Sequence, residues 1–233
     1  MSGGSVVVIG GTVGLGHGVA RHYARQGRQV ILSGRDPDRA KAVAVELGDN
    51  VTGIGFDLGE PETIANALAD VGTVDHLVLA GVDRDQNAVR NYDMAGALRL
   101  VTVKLVGYTE VVHVLLDRLH DESSILIFGG LAKERPYPGS TTVTTVNHGV
   151  DGLVRALTFE LAPIRVNAIH PGIVGDSPFW SGKTEALEAA RARAPIGRWV
   201  TMDDIVDAAV FMLQNRSVAA TELRVDGGWS LPV

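Results

Sequence analysis

The chain has 233 residues, 45% of them hydrophobic and 21% charged, which is long enough for one large α/β domain or two small ones with a sizeable core. Its 21 basic and 27 acidic residues give a net charge of −6, which disfavours nonspecific binding to nucleic acid or to an anionic membrane. The absence of cysteine excludes disulfides, thiolate metal sites and cysteine nucleophiles. With no apolar run of membrane-spanning length and no basic leader in MSGGSVVVIGG, a cytoplasmic protein without a metal site is expected.

In chain order, SVVVIG (5–10) is a β-branched run that reads as a buried strand, and 15–27 is a helix stopped by Gly27. QVILSG (29–34) is a second strand. Asp36 and Pro37 open a helix over 36–48 as N-cap and first helical residue, and Gly48 ends it. Further strands are expected over 51–57, 75–81, 123–130, 164–170 and 222–228, with helices near 61–70, 95–119, 143–162 and 202–214. In the helix near 143–162, Val143, Val146, Val150, Leu153, Val154 and Leu157 recur at three- and four-residue steps, as a buried face requires. Its threonine-rich start is unfavourable for a helix, so local propensity gives way there to something else. Strands alternating with helical crossovers predict a seven-stranded parallel sheet covered on both faces, in a single doubly wound Rossmann-type domain over 1–233. Residues 176–199 read as a helical insertion on the substrate side. Residues 83–93 read as a solvated loop, with Asp83 and Arg84 as candidate substrate contacts.

VVVIGGTVGLGHGVA joins the first strand to the first helix. Gly10, Gly14 and Gly16 permit a tight turn and a close approach of a phosphate to the backbone, where a helix N-terminus supplies free N–H groups and a positive dipole end. The spacing is Gly-x-x-x-Gly-x-Gly. Together with FDL (56–58), VDHLVLAG (74–81), RVNAIHPGIV (165–174), PIGRW (195–199) and VDGGW (225–229), it makes the chain resemble the short-chain dehydrogenase/reductases along nearly its whole length.

That resemblance implies a dinucleotide cofactor and an oligomer. Gly34 stands where members that use NAD carry an acid, and Arg35 follows with a planar fork suited to a phosphate dianion. With Ser33 and Thr12 nearby, the expected cofactor is NADP(H). Asp57 and Leu58 are expected to flank the adenine. Leu15, Ala80 and Gly81 are expected along the cofactor, and Pro171, Gly172 and Ile173 at the nicotinamide. Asp176 stands where a threonine often contacts the carboxamide, with Ser177 beside it. Phe179, Trp180 and Trp199 are candidates for an apolar lid over a small-molecule substrate, and Trp229 for a contact with a neighbouring subunit. The helices near 95–119 and 143–162 imply a homodimer or homotetramer.

The family reduces carbonyls with a tyrosine acid, a lysine four residues later, a serine and an asparagine. At those positions this chain carries Val143, Asn147, Gly130 and Lys104. Lysine and asparagine look exchanged between two helices, so Lys104 is a candidate for the ammonium near the ribose and Asn147 for the amide. Tyr137, in KERPYPGS, is the best candidate for a substitute proton donor. His148 lies about 100° around the helix from Asn147, and His170 reads as a structural residue at a strand end. Three functions follow: an NADP(H)-dependent oxidoreductase with a rearranged site, acting on a carbonyl, imine or activated alkene; a non-catalytic NADP(H)-binding sensor or scaffold; and a redox-neutral isomerase or dehydratase.

Overall fold

A parallel strand is buried on both faces and needs an unbroken apolar run. β1 (Ser5–Ile9) supplies one: Val6, Val7, Val8 and Ile9 are all at most 1% exposed. The computed structural model describes residues 3–83 and 85–231, so Arg84 lies outside the described residues. β2 (Val30–Gly34), β3 (Val51–Gly55), β4 (Val74–Leu79), β5 (Leu119–Phe128), β6 (Arg165–Pro171) and β7 (Glu222–Val225) complete one parallel sheet of seven strands. Their order is β3-β2-β1-β4-β5-β6-β7, so the winding reverses between β1 and β4.

The helices are α1 (Gly14–Arg25), α2 (Pro37–Leu47), α3 (Ile64–Ala67), α4 (Met94–Val101), α5 (Gly107–Leu115), α6 (Thr141–Glu160), α7 (Thr184–Arg193) and α8 (Met202–Gln214). Strand alternation sorts the core into two layers. Val7, Ile9, Leu77, Leu79, Ile125 and Ile127 face α3, α5 and α6, where Ile64, Tyr108, Val111, Val150 and Val154 meet them. Val6, Val8, Val78 and Leu126 face α1 and α8, where Val19, Tyr23, Ile205, Ala209 and Met212 meet them. Asp36 caps α2, its Oδ1 accepting from the Asp38 and Arg39 N–H groups at 3.0 and 3.1 Å, with Pro37 as first helical residue.

Three elements differ from expectation. The helix near 95–119 is α4 and α5 joined through a π-turn, Thr102–Val106, and a 3-10 turn at Leu116–Arg118 ends it. β5 starts at Leu119, ahead of the apolar run, because its polar start still pairs with β4 at Val74. The helix near 61–70 shrinks to a 3-10 turn (Pro61–Thr63) and α3, since Pro61 opens it and only Ile64 in α3 is buried. No helix among the described residues is long and apolar enough to cross a membrane.

Candidate active site

Open α/β sheets present their ligand sites beyond the carboxyl ends of the strands where the winding reverses. At that point lies a cleft of about 600 Å³, well inside the range of small-molecule and cofactor sites. Gly10, Thr12, Gly14, Leu15 and Gly16 line it from the β1–α1 turn. Gly10 has φ +84°, and a Cβ there would stand 2.5 Å from the Gly81 nitrogen, so the ends of β1 and β4 pack backbone to backbone. A Cβ on Gly16 would run into the Gly10 carbonyl. Gly14, at φ +64°, has open space where its Cβ would be, and that space belongs to the cleft. Val13, the N-cap of α1, offers no side-chain cap, and the first turn holds no acid, which leaves the first N–H groups to an incoming anion.

At one end the cleft is lined by Ser33, Arg35, Asp57, Leu58, Ala80 and Gly81. Ser33 is buried, and its Oγ accepts from the Gly10 N–H at 3.3 Å, tying β2 to the glycine turn. The Thr12 side chain fills the space a Cβ on Gly34 would need, at 2.7 Å. Arg35 donates to Asp83 Oδ1 at 3.1 Å, and Arg99 of α4 donates to Asp83 Oδ2 at 2.6 Å. Arg99 also grips both Asp57 oxygens, at 3.0 and 2.9 Å. Burial pushes the Asp57 carboxyl up, but the Gly59 N–H and the Arg99 guanidinium outweigh it and hold it below its ordinary value. Asp83 thus belongs to this end of the cleft. The rest of its loop is not simply solvated: Asn87 is fully buried, its side chain bonded to the Asp93 backbone and its own backbone to Gly139 and Thr141.

At the other end stand Lys104, Tyr137, Val143, Asn147, Pro171 and Gly172. Lys104 sits in the π-turn, buried, and donates to the Phe128 carbonyl from above the Tyr108 ring. Asn147 is buried on α6, and its Nδ2 lies 3.0 Å from where a Cβ on Gly130 would be. A larger residue at 130 would therefore crowd that amide. Tyr137 is half-exposed at the rim. The threonines that open α6 hold its loop: Thr144 Oγ1 donates to the Ala132 carbonyl and lies 3.0 Å from Ser140 Oγ, which accepts from the Tyr137 N–H. Phe179 and Trp180 line the cleft edge-to-face, with the Lys183 ammonium 3.4 Å from the Phe179 ring centroid.

Three candidates, Ile173, Asp176 and Trp199, lie elsewhere. Ile173 is not among the lining residues, because the extended chain turns its neighbours Gly172 and Val174 toward the cleft instead. Asp176 accepts from the Met202 N–H at 2.7 Å at the start of α8, outside the lining. Trp199 packs against Gly175, where no Cβ would fit. Trp229 lies under the Arg135 guanidinium. His148 is exposed on α6 and reaches only its own helix, at the Thr144 carbonyl.

A family model described as Enoyl-(Acyl carrier protein) reductase matches residues 10–230. A solved structure described as a short chain dehydrogenase/reductase family protein superposes with a TM-score of 0.87 at 27% identity, over 99% of this chain and 100% of that one. This chain is a short-chain dehydrogenase/reductase (SDR). Carbonyl reductase family member 4 of Danio rerio is 28% identical over 235 residues, covering 97% of each chain. A 3-ketoacyl-(acyl-carrier-protein) reductase from Brucella melitensis, complexed with NADH, is 27% identical with a TM-score of 0.86, over 99% of each chain.

Behind the cleft this SDR buries a charged cluster. His170, at the end of β6, accepts from the Gly130 N–H through Nδ1 at 3.1 Å, so its proton resides on Nε2. That nitrogen faces Asp151 Oδ1 at 3.2 Å, without the alignment of a hydrogen bond. Lys133 Nζ stands between Asp151 Oδ2 at 2.6 Å and Glu222 Oε2 at 3.1 Å. One donor atom from each of Asp151, His170 and Glu222 lies within 4.8 Å of the others, but the Lys133 ammonium already bonds both carboxylates. Burial, then the Lys133 charge, lowers the His170 pKa to about 4; burial, then the Arg28 charge, lowers that of His76 to about 4 as well. Both histidines titrate near 6.5 when unfolded. The unfolded chain therefore takes up protons that the folded one refuses as pH falls from 6.5 toward 4. Their contribution to stability is complete above the upper limit and fades below it, by up to about 3 kcal/mol for each imidazole. The urea midpoint should drop between pH 7.5 and 4.5. An unchanged midpoint would show that both rings charge in place.

Proposed function

We propose that this SDR is an NADP(H)-binding oxidoreductase with an atypical active site, acting on a small organic substrate of the carbonyl, imine or activated-alkene class. The observation that carries the reading is the glycine-lined cleft at the sheet reversal, with an uncapped α1 N-terminus and Arg35 at its rim. The residues fit a dinucleotide. Gly14 leaves open space beside the α1 N-terminus, and the α1 N–H groups suit a pyrophosphate. Arg35 suits a 2′-phosphate, and the absence of a side chain at Gly34 removes the acid that would favour NAD. A bound nicotinamide supplies the hydride chemistry.

In this reading the chain's own groups bind, orient and dispose of a proton. Val143 and Asn147 stand at the positions of the usual tyrosine and lysine, and Val143 has no proton to give. Lys104 and Asn147 share the cleft end where Pro171 and Gly172 lie, which supports Lys104 as the ammonium and Asn147 as the amide. Tyr137 is the phenol best placed at the rim for proton delivery through water. The same missing acid favours a second reading, a non-catalytic NADP(H)-binding protein that keeps the cleft for sensing or scaffolding. Exposed Met94, Leu98, Val101 and Val106 along α4 and the π-turn support a homodimer or homotetramer.

Calorimetric titration with NADPH and with NADH tests the binding. Selective binding of NADPH is expected, weakened by Arg35→Asp at least about tenfold more than any binding of NADH. Equal losses would remove Arg35 from the site. Turnover of carbonyls, imines or activated alkenes then separates enzyme from sensor.

A further inference from the structure

We propose that Asp83 is a specificity-determining residue of the cofactor site, a resident carboxylate that competes with the 2′-phosphate of the cofactor for Arg35. The proposal rests on the reading of Arg35 as the 2′-phosphate ligand. Among the described residues, Arg35 pairs with Asp83, at 3.1 Å. Asp83 is in turn held from the other side by Arg99 Nε at 2.6 Å, and Arg99 is anchored on both oxygens of Asp57. The four side chains come from three strand ends and α4, and form one alternating chain, Asp57–Arg99–Asp83–Arg35, along the rim of the cleft. Three of them, Asp57, Asp83 and Arg35, line it.

The members of this chain differ in freedom. Arg99 is fixed by Asp57 as well as by Asp83. The Asp83 side chain is 19% exposed and that of Arg35 is 67% exposed. The contact that can open is therefore Arg35–Asp83, with Arg35 as the moving partner. Formal charges within the chain cancel. A phosphate dianion arriving at Arg35 meets a carboxylate already there, and must either displace it or accept like-charge repulsion from it. A 2′-hydroxyl meets no such opposition, since it can donate to a carboxylate. Asp83 thus acts as a brake on the phosphorylated cofactor, and Arg99, bonded to its other oxygen, offsets part of the charge that the brake presents.

Asp83→Asn keeps the shape and an acceptor for Arg99 but removes the charge. Titration of the full chain with NADPH and NADH, at low and at high salt, is expected to show NADPH tightening about tenfold and NADH changing less than about threefold, with the gain shrinking as salt rises. Arg99→Met is expected to act in the opposite direction: it leaves Asp83 without its second partner, and NADPH weakens more than NADH. Both signs should hold in protein whose unfolding midpoint is within a few degrees of the parent. An unchanged NADPH affinity in Asp83→Asn, or equal tightening of both cofactors, overturns the proposal. If the parent prefers NADH and Asp83→Asn moves the preference toward NADPH, the proposal stands while the parent's NADP(H) selectivity fails. If neither protein binds either cofactor, both fail.

Discussion

Lys133→Met is expected to lower folding stability by about 3–5 kcal/mol. The ammonium it removes is buried and held at 2.6 Å from Asp151 and 3.1 Å from Glu222. Among the described residues only Arg155, largely exposed, remains to answer Glu222, at 3.2 Å. Burial already pushes the Asp151 carboxyl up with Lys133 in place. Without it, one of the two carboxylates takes up a proton on folding. A carboxyl whose folded pKa is raised stabilises most below its unfolded pKa and loses that contribution as pH rises through the folded one. The deficit of the variant is therefore largest near neutral pH and narrows toward pH 4–5. Urea unfolding of parent and variant at both ends of that window reads it directly. A loss below about 1 kcal/mol at pH 7 would mean that water screens the cluster as it screens a surface pair.

Gly10→Ala is expected to weaken NADPH binding about a hundredfold and to destabilise the fold by about 2 kcal/mol or more. Two effects add. The backbone at φ +84° is in the left-handed region, and the new Cβ would press on the Gly81 nitrogen at 2.5 Å. Relief requires the β1 and β4 ends to part, and these two edges frame the cleft. Gly27→Ala separates the effects: it has φ +74° but nothing within 4 Å of its Cβ position. It should cost about 1 kcal/mol and leave NADPH binding intact. Calorimetry and urea unfolding on the pair give the answer. Binding of NADPH by Gly10→Ala at parental strength would exclude the glycine turn from the site.

The strands were legible because a parallel strand buried on two faces reads as a plain apolar run, as VVVI does in β1. The start of α2 was legible because capping is local chemistry, complete within Asp36, Pro37 and Arg39. The cleft end around the glycines followed from the same locality. What stayed hidden depends on distance along the chain. Arg99 meets Asp57 and Asp83 only because the sheet brings two loops and α4 together, and no spacing announces that. Asp176 resembles a ligand in sequence and is a helix cap in space. Trp199 is aromatic and near the site, yet the absence of a side chain at Gly175 draws it aside. The polar composition of 83–93 masks Asn87, whose amide replaces backbone partners inside the loop.

The π-turn at Thr102–Val106 has one further consequence. It inserts an extra residue into a helical path, which rotates all that follows by about 100° relative to an uninterrupted helix. Ahead of it, α4 packs against α6; beyond it, α5 packs against α3. Gly107, the first residue past the turn, sits so close to the Leu58 carbonyl that a Cβ would come within 2.5 Å of it. Losing a single residue between Val101 and Gly107 would put a side chain at that point or swing Lys104 off its carbonyl. The two halves of this path are keyed to different surfaces, and the number of residues between them is as constrained as their identity.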